Sequence, residues 1–135
     1  MDNKATFWMV QLFKKSLWER SRFRQIEKLF GSTTGDMRCL VVGGSPAMHY
    51  AIQKFRGQWN SLAYSPEEAG ILRSLIGDLV VEAEPHKLPF EDGEMDRVVL
   101  VDVLDDVADE HAFMLDCHRI LKDSGILILN VPHRK

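Results

Sequence analysis

Two cysteines, no long apolar run and little net charge are what this sequence most plainly has in short supply. Each shortage excludes something. Cys39 and Cys117 fall in segments that read as a buried strand and a helix, so no disulfide framework and no zinc ligand set is expected. Both suit a reducing compartment, and a cytoplasmic location is the expectation. No apolar stretch reaches the length of a transmembrane helix. The N-terminus lacks the layout of a secretory signal, because Lys14, Lys15 and Glu19 interrupt its apolar residues. A net charge of −3 gives no general affinity for nucleic acid. Internal repeats and low-complexity tracts are missing. His111 and His118 stand seven apart on one helix, about two turns, further than one metal ion comfortably bridges. Neither cysteine has a histidine nearby in sequence to activate it as a nucleophile.

What is present centres on Arg38-Cys39-Leu40-Val41-Val42-Gly43-Gly44-Ser45-Pro46. An apolar run reads as a buried parallel strand, the glycines as a tight turn, and Pro46-Ala47 as a helix start. Strand, glycine turn and helix N-terminus together make a nucleotide-binding unit in many α/β folds.

The chain in order divides into an amphipathic basic helix (1–30), a linker (31–36) and an α/β core (37–135). Residues 1–30 hold seven Lys/Arg against three Asp/Glu. Phe7, Val10, Phe13, Leu17 and Trp18 form one apolar stripe, and Phe23, Ile26, Leu29 and Phe30 a second, with a bend near Ser21 between them. Such a helix either packs on its own domain or a partner, or lies on an anionic membrane surface through residues 4–30. Strands are then expected at 38–42, 58–64, 79–82, 97–101 and 126–131. Helices are expected at 47–55, from Ser65 to Ile76, and at 108–121 with Gly125 as terminator. Ser65-Pro66-Glu67-Glu68 is a capping box. Alternation of apolar strands and helices implies a three-layer α/β/α, Rossmann-like fold around a mostly parallel sheet of about five strands. Its ligand crevice lies where strand order reverses, at the carboxyl ends of strands one and four.

Leu88-Pro89-Phe90-Glu91-Asp92-Gly93-Glu94-Met95-Asp96-Arg97-Val98-Val99, His118-Arg119-Ile120-Leu121-Lys122-Asp123-Ser124-Gly125 and Ser65-Pro66-Glu67 stand in order and at matching spacing. On these motifs the chain resembles the class I S-adenosylmethionine (SAM)-dependent methyltransferases, in particular the small-molecule ubiquinone and menaquinone methyltransferases, over residues 37–135. The resemblance implies SAM as cofactor and a small-molecule or lipid-like methyl acceptor. It implies binding by Gly43, Gly44 and Ser45 to the methionine part, by Ala63 and Tyr64 at the ribose and adenine, by Glu82 or Glu84 at the adenosine, and by Asp102 and Leu104 near the methyl. The two registers after strand three, Glu82-Ala83 and Glu84, stay open. It assigns no catalytic residue, since methyl transfer needs chiefly positioning.

Several of these positions depart from the family pattern. The acidic residue of strand one is Val41, and two of three turn glycines are Ser45 and Ala47. The ribose-binding acid is Ala63, and a methyl cannot accept those hydrogen bonds. After strand four the family's histidines are replaced by Asp102, Asp105 and Asp106. These carboxylates read as an acidic first turn of the next helix or as a site for a cationic group. The family's sheet also continues past strand five, so either the chain is a truncated piece of a longer protein, or a partner chain, an oligomer or the basic helix is expected to cover that edge. A module that has lost catalysis and serves binding or assembly is the competing function. His49, after the glycine turn, reads as a surface helix residue, with contact to a ligand as the alternative.

Overall fold

The computed structural model describes residues 17–30, 33–84, 87–104 and 107–130. Helix α1 spans Leu17–Phe30, strand β1 Arg38–Gly43, helix α2 Pro46–Ile52, strand β2 Gln58–Ala63 and helix α3 Pro66–Ile76. A 3-10 turn at Gly77–Leu79 leads to β3, Val80–Glu82, followed by β4, Met95–Val101, α4, Glu110–Ile120, and β5, Leu121–Asn130. The strands form one sheet in the order β3-β2-β1-β4-β5, and every pairing is parallel. Strand order reverses between β1 and β4, as the alternation of strands and helices requires for a doubly wound sheet.

Side chains alternate across the pleat, so each strand feeds two cores. Leu40 and Val42 of β1 join Leu62, Val98 and Leu100 under Phe113, Cys117 and Ile120 of α4. Cys39 and Val41 point the other way, with Val99, Val101 and Ile128, against Ile26 of α1 and Met48 and Ile52 of α2. Helix α3 closes the β2–β3 end of the sheet through Ala69 and Leu72. Full burial of Leu40, Val41 and Val42 explains why β1 reads as an unbroken apolar run.

Helix α1 is continuous through Ser21. Its Ile26 is buried, and Phe23 stacks on Phe55 at 5.4 Å between ring centroids. Packing on the domain is therefore the use of this stretch that the structure displays, with Arg20, Arg24 and Lys28 turned to solvent. Residues 4–16 of the expected helix lie outside the described residues.

Helix α2 stops at Ile52, short of the expected Phe55, and turns lead on to Gly57. The larger correction concerns β5. It was expected from Ile126 after a glycine-terminated helix, yet α4 ends at Ile120 and the strand begins at once with Leu121. The ladder jumps from Met95 opposite Leu121 to Arg97 opposite Ile126. Lys122-Asp123-Ser124-Gly125 is thus accommodated as a bulge in the strand rather than as a helix stop. Gly125 has ordinary negative-φ backbone; it is needed because a Cβ there would sit 2.9 Å from the Lys122 carbonyl oxygen.

The segment between β3 and β4 is fastened by Arg119 of α4. Its Nη1 donates to the Phe90 carbonyl at 2.8 Å and to Asp92 Oδ1 at 2.9 Å, and its Nη2 donates to the Leu88 carbonyl at 2.9 Å. Nε donates to Asp116 Oδ1 at 2.7 Å, while Asp116 Oδ2 accepts from the Leu88 N–H at 2.6 Å. Burial opposes ionisation of Asp116, but these bonds outweigh it and hold its carboxyl below the usual range. One guanidinium thus satisfies two carbonyls and two carboxylates.

Candidate functional site

The crevice lies at the carboxyl ends of β1, β2 and β4. Gly43 and Gly44 form its floor with φ of +83° and +80°, the left-handed region that favours glycine. Gly43 stands opposite Val101 in the ladder, and a Cβ on it would lie 2.2 Å from the Val101 carbonyl oxygen. A Cβ on Gly44 would lie 3.1 Å from Val101 Cγ1. Gly43 is therefore obligatory and Gly44 strongly favoured, and together they make a backbone turn at the end of β1, the cradle, packed against Val101 and Val103. Ser45 caps α2: its Oγ accepts from the Met48 N–H at 3.2 Å. Val41, at the family's acidic position, is wholly buried in the sheet.

Beneath this turn sits His49, which is buried rather than on the surface. Its Nδ1 lies 2.8 Å from Ser61 Oγ, which also accepts from Gln53 Nε2 at 2.9 Å. Burial drives its pKa down to about 4, with the Gly43 backbone opposing. His49 is thus a neutral polar strut between α2 and β2 under the cradle.

At the end of β2, Ala63 is fully buried and its carbonyl accepts from the Ala83 N–H at 3.0 Å. The Tyr64 ring leans into the α4-side core, and burial raises its hydroxyl pKa. Glu82 ends β3 opposite Ala63, but its carboxylate takes Arg73 Nη1 at 2.9 Å. Glu84 follows two residues on, exposed beyond the strand end. Leu104 is half-buried against the α4-side core, and Val103 is buried beside Gly43. Asp105 and Asp106 lie outside the described residues.

Asp102 follows β4 directly, in the left-handed region at φ +52°. Its N–H donates to the Asn130 carbonyl at 2.9 Å. One carboxylate oxygen, Oδ2, pairs with Arg22 of α1. The Arg22 guanidinium also donates to Asn130 Oδ1 through Nη2 at 2.9 Å and Nε at 3.2 Å. The first described helix and the last strand thus meet over the end of β4. Arg22 was invisible as a site residue in the sequence, where it is one basic residue among many; its 8% exposure distinguishes it. Cys39 and Cys117 are free, and burial pushes their thiols up to about 11 and about 12 respectively.

An open depression of about 740 Å³ lies at the opposite end of the sheet, lined by Asp92, His118, Arg119 and Lys122 among others. Its floor is the Arg119 network and the β5 bulge, both accounted for by structure. The reversal of strand order and the paired glycines place the candidate site at the other end.

A parallel sheet in this order, with paired glycines at its switch point, is the doubly wound α/β arrangement in which ligands bind at the carboxyl ends of the strands. Residues 39–129 match the methyltransferase domain family, more than half of the chain, and the chain belongs to that family. Two curated relatives, both named probable S-adenosylmethionine-dependent methyltransferases of Mycobacterium tuberculosis, are 34% identical over 55 residues, 41% of this chain and 20% of theirs. Among solved structures, the YcgJ protein of Bacillus subtilis superposes with a TM-score of 0.72 at 16% identity, over 82% of this chain and 50% of that one. Geranyl diphosphate C-methyltransferase of Streptomyces coelicolor, solved with S-adenosylhomocysteine, gives 0.70 at 18% identity, over 82% and 45%. These structures establish the fold. The chain spans a fifth of the length of the curated relatives and about half of each of these two solved chains.

The residues present fit SAM unevenly. The Gly43–Gly44 cradle suits close approach of a ligand to the backbone. Ala63 supplies no acceptor where a ribose needs one.

Proposed function

We propose that this chain is the cofactor-binding core of a SAM-dependent methyltransferase acting on a small-molecule or lipid-like acceptor. The observation that carries this reading is the cradle: two adjacent left-handed glycines at the switch point, the first opposed by a backbone oxygen that forbids any side chain. When bound, SAM supplies an electrophilic sulfonium methyl. The chain's part is to bind and orient. The N–H groups and open surface of Gly43, Gly44 and Ser45 hold the methionine part. Tyr64 and Glu84 border the adenosine, with Glu82 beside it in its pair with Arg73. Asp102 and Leu104 border the transfer position from the end of β4, and the Arg22 pair keeps Asp102 in one conformation.

Transfer of a methyl between two positioned atoms needs no enzyme nucleophile, so rate comes from alignment. The buried thiols, with their raised pKa values, take no part. In the whole protein, a further strand or a partner covers the open edge of β5, where Ile126 and Leu129 are 42% and 40% exposed. Calorimetry with SAM and S-adenosylhomocysteine tests the reading. Micromolar binding is expected. No heat and no thermal shift at millimolar ligand would overturn it and leave the binding or assembly module as the function.

A further inference from the structure

We propose that Glu68 supplies the carboxylate that holds the vicinal hydroxyls of the ligand's ribose, in place of the acid missing at Ala63; this rests on the cofactor reading above. In doubly wound nucleotide-binding folds an acidic residue about twenty residues past the glycine turn takes the ribose hydroxyls. Counting from Gly43 that place is Ala63, at the end of β2, and it offers only a buried methyl. Glu68 is the third residue of α3. A capping-box carboxylate normally returns to the N–H of the cap residue itself, here Ser65. In this chain half of the box is ordinary, with Ser65 Oγ accepting from the Glu68 N–H at 3.1 Å. The other half is displaced. Glu68 Oε2 reaches one residue further back and accepts from the Tyr64 N–H at 3.1 Å. That bond lays the carboxylate across the end of β2, on the residue next to Ala63.

The stoichiometry is sufficient. A carboxylate has about four acceptor sites. One is used by Tyr64 N–H, which leaves room for two hydroxyl donors. The neighbouring candidate is already engaged, since Glu82 pairs with Arg73. The displaced cap therefore does two things: it starts α3 and it returns an acceptor to the strand end that lacks one.

The test uses the whole chain and two probes, S-adenosylhomocysteine and its 2′,3′-dideoxy analogue, titrated calorimetrically. The wild type is expected to prefer the ribose form by about tenfold or more. Glu68→Ala is expected to bind both probes within about twofold of each other, at the wild-type affinity for the dideoxy form. Glu68→Gln keeps an oxygen for the Tyr64 N–H and is expected to retain the thermal midpoint while losing part of the preference; it carries the test if Glu68→Ala folds poorly. An unchanged preference in both variants overturns the assignment and leaves the cofactor reading standing. Equal binding of both probes by the wild type does the same. Failure of the wild type to bind either probe overturns the cofactor reading, and the Glu68 assignment with it.

Discussion

The glycine turn and the segment from Leu88 to Glu94 sit at opposite ends of β4, and they have kept different things. The Leu88–Glu94 segment keeps its sequence motif and its wiring, with Arg119 bonded to Leu88, Phe90, Asp92 and Asp116. The turn keeps its backbone shape at Gly43 and Gly44 but carries Val41, Ser45 and Ala63 where the family resemblance implies acids or glycine. The difference separates two kinds of constraint. Arg119 serves the fold, because it ties together two carbonyls and two carboxylates of this segment and α4. Positions 41, 45 and 63 are required only by a ligand, and the fold accepts Val, Ser and Ala there without an unpaired group.

Substitutions can press on each side of that contrast. Gly43→Ala should do the most damage, on the order of 4 kcal/mol, since a left-handed φ and a collision with the Val101 carbonyl oxygen at 2.2 Å combine. Urea unfolding would measure it, and a loss under 1 kcal/mol would mean that the turn is not as constrained as its geometry says. Arg119→Ala should cost about 3 kcal/mol. Arg119→Lys should recover less than half of that, because an ammonium cannot reproduce the planar fork. The folded Arg119→Ala protein should bind S-adenosylhomocysteine within about threefold of wild type; a larger loss would break the division between the two ends.

His49 gives the turn a pH signature in a higher range than that of the Arg119 end, where Asp116 is held below the usual carboxylate range. Its folded pKa of about 4 lies below the ordinary 6.5, so the unfolded chain binds more protons between those values. Stability contributed by the neutral, buried imidazole is whole above about pH 6.5 and is lost as pH falls towards 4, by on the order of 3 kcal/mol in total. Thermal midpoints of wild type and His49→Gln across this range should converge as the pH drops; parallel curves would remove His49 from the account. Arg22→Met should cost about 2 kcal/mol by freeing Asp102 and Asn130 from their shared partner. That value comes from the difference in urea midpoint, and a change under 0.5 kcal/mol would make the pair a surface contact. Ser45→Gly is the mildest case, a few tenths of a kcal/mol for the lost cap. If the serine obstructs the ligand, the same change should raise S-adenosylhomocysteine affinity at least threefold, and equal affinity would clear Ser45 of that role.

Much of this architecture was legible in the sequence. Runs such as Leu40-Val41-Val42 and Val98-Val99-Leu100 are buried on both faces and read directly as inner strands. The Ser65-Pro66-Glu67-Glu68 start was legible because its bonds are local. What the sequence did not disclose depends on partners far away in the chain. The start of β5 was misplaced because a bulge looks like a helix stop until its pairing partner Met95 is known. His49 reads as a surface residue because a seven-residue helix is too short for periodicity to fix its inner face. Arg22 was missed for the plainest reason: its partners lie 80 and 108 positions downstream.

That last separation bears on how the chain reaches its final form. Asn130 leaves the ribosome 108 positions after Arg22, so the Arg22 side chain cannot reach its partners while β5 is still in the exit tunnel. Contacts of such sequence separation are costly to close and tend to form late. Helix α1 should therefore dock after the strands have paired, clipping the assembled sheet from the first described helix to the last described strand. Nascent-chain proteolysis would see its protection appear only after residue 130 has emerged.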